Sequence, residues 1–320
     1  MSLRRLARLL SVPQRSITSL TRDNSRRSQK RFLNYEVIQP AKVLPAHYVP
    51  SHIVRPDYAQ TGLVGGTPGV PEIKTKDQIL RVAEACQLAR LVLDTVGAHA
   101  QEGITTEELD RLAHELCVSK GAYPSPLNYR WYPKSICTSV NNVACHGIPD
   151  ERKLKDGDII SIDVSVFYNG YHGDCAETFG VGRVDERGWN LIETARYCLQ
   201  AGIVVCRDGE KLSAIGQAIE TCATESNCSV IPYFCGHGIG TYFHGPPDIF
   251  HFDNDSEEVM RAGMTFTIEP VISEGGSDLM VLEDGWTAIT SDQSRSAQFE
   301  HTILVTLDGS RVLTSSPREF

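Results

Sequence analysis

The stretch DIISIDVSVFYNGYHGDCAETFG, residues 158–180, sets two alternating runs around the dipeptide Asn169-Gly170. Asn-Gly suits the two positive-φ positions of a tight two-residue turn, so these runs are predicted to be an antiparallel hairpin. With Asn169 and Gly170 at the tip, Tyr168 faces Tyr171 and Asp174 stands opposite Ser165. Side chains alternate faces along a strand, which puts Asp163 on the side of Ser165 and hence of Asp174. Two carboxylates held as diagonal neighbours resist ionising together unless a cation sits between them. The hairpin therefore calls for a metal.

On either side of the hairpin the pattern changes to helical. KDQILRVAEACQLARLVLDTVGAHA, from Lys76, brings Ile79, Val82, Ala83, Ala85, Cys86, Ala89 and Leu93 to one face, and Thr105 with Glu108 makes a capping box for a second helix. WNLIETARYCLQAGIVVC and LSAIGQAIETCATES give a second helix pair downstream. MTFTIEPVIS, GWTAIT, SAQFEHTILVT and RVLT read as further antiparallel strands. Two helix pairs, each joined to carboxylate-bearing strands, predict an α+β domain with an internal duplication of architecture rather than of sequence.

Upstream of Lys76 the character differs. Residues 33–75 contain Pro40, Pro45, Pro50, Pro56, Pro68 and Pro71 with a Gly65-Gly66 pair and no sustained period, the signature of an extended strap. The first 32 residues hold nine of the 31 Lys and Arg and one of the 40 Asp and Glu, leaving 22 basic against 39 acidic residues in the body. Leu3, Leu6, Leu9 and Leu10 at helical spacing against Arg4, Arg5 and Arg8, with recurrent serines, predict a mitochondrial transit peptide and delivery to the matrix, or to a plastid if the chain is from a plant. The expected organisation is a transit peptide over 1–32, a strap over 33–75 and a catalytic domain over 76–320. An acidic body repels phosphate backbones, so nucleic acid is not an expected partner. No apolar run approaches the roughly 18 residues of a membrane span, and a soluble body is expected. The ten cysteines contain no C-x-x-C pair and read as scattered buried thiols.

Further candidate ligands lie downstream: His237 in CGHGIG, Glu269 in FTIEP and Glu300 in QFEHT. Single acids in strands are commonly edge charges, but these five sit in apolar or Gly-rich surroundings. Four carboxylates and one imidazole make an oxygen-rich set suited to divalent Mn, Fe or Co more than to a structural zinc.

Cys145-His146-Gly147-Ile148-Pro149, Ile162-Asp163-Val164, Gly170-Tyr171-His172-Gly173-Asp174, Gly236-His237-Gly238-Ile239-Gly240, Phe243-His244, Phe266-Thr267-Ile268-Glu269-Pro270 and Gln298-Phe299-Glu300-His301 together resemble the type I methionine aminopeptidases, the mitochondrial branch most of all. The resemblance runs from about Val49 to the C-terminus. It implies the pita-bread fold, a pseudo-twofold α+β domain whose curved antiparallel sheet carries a dimetal centre. It also implies Asp163, Asp174, His237, Glu269 and Glu300 as ligands of two divalent ions (Co, Mn, Fe or Zn), with Asp174 and Glu300 bridging. The resemblance casts His146 and His244 as non-ligand histidines that bond the substrate and help move protons, alongside Glu269. Tyr129, Tyr132, Cys137, Phe243 and Trp286 match the methionine pocket, where aromatic and thiol walls favour a thioether. Such an ion pair lowers the pKa of a water and polarises a scissile carbonyl. The implied reaction is hydrolysis of the first peptide bond after methionine when the second residue is small, by an enzyme acting as a monomer on nascent chains.

His172 shares a face with Asp174 by strand parity, though the family does not use it as a ligand. His301 is predicted to face away. Three positions depart from the family pattern: Arg130-Trp131 beside the pocket, Cys175 where Thr commonly follows the ligand aspartate, and Pro246 after His244. Each leaves the ligand set intact and bears on access, on a hydrogen bond to the ligands, or on loop stiffness. A proline-directed peptidase of the same fold is a competing reading, for which the roughly 75 residues before the first helix are few. A metal-free binding scaffold is another, against which stand five filled ligand positions and an acidic body. CGHGIGTYFHG lacks the Lys-Ser or Lys-Thr end of a phosphate loop.

Overall fold

A computed structural model describes residues 34–316. The predicted 1–32 segment lies outside the described residues. The hairpin forms as predicted: β4 (Ile159–Tyr168) pairs with β5 (Tyr171–Gly180), with Tyr168 against Tyr171 and Ser165 against Asp174. Asn169 and Gly170 take φ of 50° and 83°, which Asn tolerates and Gly, lacking a Cβ, adopts freely. Ahead of the hairpin lie α1 (Lys76–Gly97), α2 (Thr106–Ser119) and the short strands β1 (Tyr123–Pro124), β2 (Cys137–Val140) and β3 (Val143–Cys145). Thr75 with Gln78 caps α1 and Thr105 with Glu108 caps α2, each as a capping box.

Strand parity decides which face carries chemistry. Ile160, Ile162, Val164 and Val166 of β4 join Cys175 and the buried faces of α1 and α2 in one core. The intervening Ser161, Asp163, Ser165 and Phe167 look the other way. The helices thus seal the outer face of the hairpin and leave its polar face to the interior of the molecule.

The second half repeats the plan. Helices α3 (Glu186–Val204) and α4 (Ser213–Glu225) are followed by β6 (Ser229–Val230), β7 (Cys235–Gly238), β8 (Gly245–Phe250), β9 (Thr265–Ile268), β10 (Val271–Ser273), β11 (Leu279–Val281), β12 (Ala288–Thr290), β13 (Ser296–Gln298), β14 (His301–Val305) and β15 (Ser310–Val312). Asp185 caps α3, which begins three residues before the predicted Trp189. Leu191, Ile192, Ala195 and Leu199 of α3 pack with Ile215 and Ile219 of α4 onto Phe266, Ile268, Ile272, Phe299 and Ile303. All pairings are antiparallel, and β15, β14, β9, β7 and β8 make a five-stranded sheet.

Two predicted strands are each split. MTFTIEPVIS breaks between Ile268 and Val271, where Pro270 has no N–H to give. SAQFEHTILVT breaks at Phe299-Glu300, because Glu300 leaves its own sheet and pairs with Ala176 of the hairpin. Residues 34–75 form no strand, run largely extended with a turn at Pro50–Ile53 and one turn of 3-10 helix at Asp57–Ala59, and bury Val49, Ile53 and Tyr58 against Tyr123, Tyr129, Phe167 and Phe243.

Candidate metal centre

The register that sets Asp163 against Ala176 and Ser165 against Asp174 turns both aspartates to the inner face, with their carboxyls in hydrogen-bonding reach. Ser165 Oγ donates to Asp174 Oδ1 at 2.7 Å, and Thr302 Oγ1 donates to the Asp174 carbonyl at 2.8 Å. Glu300 arrives through its bridge to Ala176, donating its N–H to the Ala176 carbonyl at 2.9 Å. Asp174, His237 and Glu300 each offer a donor atom within 4.8 Å of the others. His237 Nε2 lies 3.7 Å from Asp174 Oδ2 and 3.5 Å from Glu269 Oε1. The hairpin, β7, the end of β9 and the start of β14 thus meet at one place.

Electrostatics there favours a cation. Desolvation raises all four carboxyls, and repulsion adds to it at Asp174, Glu269 and Glu300: Glu269 is pushed up to about 8 by burial and by Asp163, and Glu300 well above its usual range by burial, Asp174, Glu269 and Asp163. Asp163 is raised to about 7 and Asp174 well above its usual range, burial leading in each. Burial pulls His237 down to about 3, so its ring is neutral. Its Nδ1 lies 3.3 Å from the Gly238 carbonyl, which can only accept, so Nδ1 carries the hydrogen and Nε2 presents a lone pair to the carboxylates. Glu300 Oε1 is buried with no hydrogen-bond partner. Lone pairs converging on one point, with an orphaned acid oxygen among them, fit a divalent ion and fit no arrangement of neutral groups as well.

Two supporting residues escaped the sequence reading. Thr267 Oγ1 donates to Glu269 Oε1 at 2.8 Å and accepts the His237 N–H at 2.9 Å, fixing two candidate ligands with one hydroxyl. Its position two residues before Glu269 on a strand was a usable signal, since i and i+2 share a face. His251 is buried and its Nε2 accepts the Glu269 backbone N–H at 3.1 Å. Nothing local in HFDN marks that contact, which depends on β8 lying in the same sheet as β9.

The candidate pocket residues lie buried or partly buried beside His237 and Asp163. Tyr129 contacts Phe243 and His244 at ring separations of 5.0 and 4.9 Å, and His244 lies 4.0 Å from the His237 ring. Tyr132 packs edge-on to Trp286 at 5.1 Å, and Trp286 meets His146 at 5.8 Å. Cys137 is paired with Asp163 across β2 and β4. Desolvation lowers His146 to about 4 and His244 well below its usual range, so both rings are neutral, and His244 Nδ1 has no partner.

His172 turns from the carboxylates to bond Ser125 Oγ at 2.8 Å and stacks on Phe243 at 5.0 Å, so it belongs to the aromatic wall. His301 bonds Thr314 on the far side of its strand. Cys175 stands opposite Val164 in the helix-facing core, with its thiol pushed far up by burial; it makes no hydrogen bond to a candidate ligand, because it alternates with Asp174. Trp131 is 63% exposed and rests on Gly62 of the strap, where a Cβ would come within 2.5 Å of its ring. Pro246 lies in β8 with its carbonyl against Gly238.

Residues 81–307 match the model of metallopeptidase family M24. The chain is 52% identical over 291 residues to human methionine aminopeptidase 1D, mitochondrial, spanning 91% of this chain and 87% of that protein. The crystal structure of methionine aminopeptidase from Rickettsia prowazekii superposes with a TM-score of 0.76 at 42% identity, over 77% of this chain and 100% of that one. A prolidase from Pyrococcus furiosus superposes at 0.61 with 21% identity, over 77% of this chain and 66% of that one, a likeness of fold alone. The fold is the pita-bread fold, its two helix pairs backing a curved antiparallel layer. With its helices outside and its acids turned inward, the chain belongs to metallopeptidase family M24, in the methionine aminopeptidase branch.

Proposed function

We propose that this metallo-exopeptidase removes the N-terminal methionine from newly made proteins with a small second residue, using Asp163, Asp174, His237, Glu269 and Glu300 to hold two divalent ions. The observation that carries this reading is the neutral His237 Nε2 facing the oxygens of Asp174 and Glu269 at 3.7 and 3.5 Å. When bound, the ions supply Lewis acidity and a water of lowered pKa. Asp174 and Glu300 would be the ligands shared between the ions.

The protein's own groups do the rest. The carboxylates hold the free α-amine of the substrate, which limits attack to its first residue. Glu269, with Oε1 engaged by Thr267, takes and returns a proton at Oε2. His244 and His146, both neutral, hydrogen-bond the substrate carbonyl or amide and pass protons. Tyr129, Tyr132, Cys137, Phe243 and Trp286 enclose the methionine side chain and keep bulk solvent out of its pocket. Mn, Fe, Co and Zn all suit these ligands.

The name of the human relative supports a mitochondrial location, and the basic, serine-rich head fits import to the matrix, or to a plastid in a plant. Among the described residues no helix is long and apolar enough to cross a membrane. The acidic body gives no footing to nucleic acid, and the chain acts as a monomer. Incubation with Met-Ala-Ser and Met-Leu-Ser peptides under added Mn²⁺, Co²⁺ or Zn²⁺ tests the reading. Methionine is expected from the first peptide and not the second; no release with any ion, or equal cleavage of Xaa-Pro peptides, overturns it.

A further inference from the structure

A second group of donors lies outside the centre described above, where the strap crosses α2. His47 Nε2 stands 3.4 Å from Glu107 Oε1 and 3.6 Å from Asp110 Oδ2, all three mutually within 4.8 Å. Glu107 and Asp110 are one turn apart on α2, so their carboxyls share a face. The other oxygen of each acid is already committed. Lys134 Nζ donates to Glu107 Oε2, and the backbone N–H groups of Ser135 and Ile136 donate to Asp110 Oδ1 at 2.7 and 3.1 Å. That leaves one oxygen from each acid aimed at the imidazole.

Two acids alone would not make a site, but two of these atoms lack partners. Asp110 is fully buried, and its Oδ2 has no hydrogen-bond partner; His47 Nε2 has none either. Buried atoms of this kind cost free energy unless something pairs them. Lys134 offsets Glu107, so what the unpaired Asp110 Oδ2 and His47 Nε2 lack is a shared partner that both can face, an ion or a proton. His114 packs against the His47 ring at 5.2 Å and adds no charge, since burial lowers it and its two nitrogens already face Ser135 and the Tyr48 carbonyl.

The separations suit a shared ion better than a direct hydrogen bond. An N–H···O hydrogen bond brings the heavy atoms to about 2.7–3.2 Å. Two ligands on one tetrahedral ion, with bonds of about 2.0–2.1 Å, sit about 3.3 Å apart. The observed 3.4 and 3.6 Å lie at the ligand–ligand value, and they repeat the 3.5 and 3.7 Å between His237 Nε2 and its two carboxylate oxygens.

We propose that His47 Nε2, Glu107 Oε1 and Asp110 Oδ2 bind a further divalent cation of the zinc or cobalt class, which pins the strap to α2. The ion sits two residues before Val49, whose cluster contains Tyr129 and Phe243, so it braces the wall of the pocket from behind. Its role is structural, with Lys134 and the 135–136 backbone orienting the acids.

The test is zinc stoichiometry of the full chain after ZnCl₂ loading and gel filtration, read by mass spectrometry, for the unaltered protein and for His47→Ala, His47→Cys and His47→Lys. The His47 side chain is 26% exposed, so these variants are expected to fold. His47→Ala and His47→Lys should bind one equivalent less than the unaltered chain, and His47→Cys should retain it. Crystals grown with Co²⁺ should show an anomalous peak between the three residues. Equal zinc in all four proteins overturns the proposal, as does a His47 that ¹⁵N spectra show as an imidazolium with no zinc difference. Repeating the comparison in an Asp174→Asn, Glu300→Gln background removes the first centre, so the two assignments fail separately.

Discussion

Ala176 and Glu300 exchange backbone hydrogen bonds across the two halves of the molecule, the Glu300 N–H giving at 2.9 Å and the Ala176 N–H at 3.4 Å. This bridge brings the carboxyl of Glu300 to that of Asp174, two residues from Ala176, so the centre is assembled only when the halves close. Replacing Glu300 with Ala should leave the fold intact yet lower kcat/KM by more than about 100-fold, beyond the usual cost of losing an outer-sphere contact. Steady-state kinetics together with metal analysis checks this. A variant with near-normal turnover would remove Glu300 from the ligand set.

Thr267 holds Glu269 and the His237 backbone with one hydroxyl. Thr267→Val keeps the shape and deletes both bonds, and the expected result is metal affinity weaker by about 10–100-fold with a stability loss of about 1–3 kcal/mol. Thr267→Ser should recover most of the affinity, which separates the hydroxyl's role from packing. Competition with a chelating dye gives the affinities.

How much of this was legible follows from the range of each interaction. The Asn169-Gly170 turn fixed the β4–β5 register locally, so the shared face of Asp163 and Asp174 could be counted off the chain. Glu269, Glu300 and His237 were visible as residue types but not as neighbours, because β7, β9 and β14 meet through pairings that no local pattern encodes. Gly-rich CGHG and proline-bearing GPPDIF carry few of the β-branched residues that announce strands, so β7 and β8 went unmarked. The Glu300 break was hidden for a similar reason, since its partner lies 124 residues away. Cys175 drew suspicion by sequence adjacency to Asp174, and strand alternation sends it to the opposite side.

That alternation carries its own consequence. Cys175 is fully buried beneath α1, so a thiol reagent applied to the folded protein should leave it unmodified while reacting with it after denaturation. Cys175→Ala should shift metal affinity by less than about 3-fold, while losing about 1–2 kcal/mol of stability from the core. Peptide mapping by mass spectrometry and a metal titration decide it. Rapid labelling in the native state would place the thiol elsewhere.

The raised carboxyls set the pH dependence of the metal-stripped protein. A carboxyl whose folded pKa exceeds its unfolded value binds more protons when folded, so its contribution to stability falls as pH rises through that window. Asp163 at about 7 and Glu269 at about 8 place the upper part of the loss between pH 6.5 and 8. The buried histidines, lowered in the fold, weaken stability on the acid side instead, so the carboxyl effect is best read above pH 6.5. Melting temperatures of chelator-treated protein should therefore decline from pH 6.5 to 8, and the gain on adding Mn²⁺ should be larger at pH 8 than at 6.5. A flat profile for the stripped protein would contradict the upward shift that burial gives these acids.

Gly173 precedes Asp174 on β5, and a Cβ there would lie 2.3 Å from the Cys86 nitrogen and 2.4 Å from the Ala85 carbonyl carbon. Both atoms belong to the backbone of α1, which cannot yield as a side-chain tip can. Gly173→Ala must therefore lift the helix from the hairpin or push the hairpin inward, at a cost of about 3 kcal/mol for overpacking. The inward push displaces Asp174, and a misplacement of about 1 Å at a reacting centre costs on the order of 100-fold in rate. Denaturant unfolding and kcat/KM should fall together in this variant. Gly170→Ala, at the open hairpin tip with nothing within 4 Å, should lose stability from its positive φ while the folded enzyme keeps its turnover. If Gly173→Ala matched the unaltered chain in both measurements, the close contact of α1 with the hairpin would not be what positions Asp174.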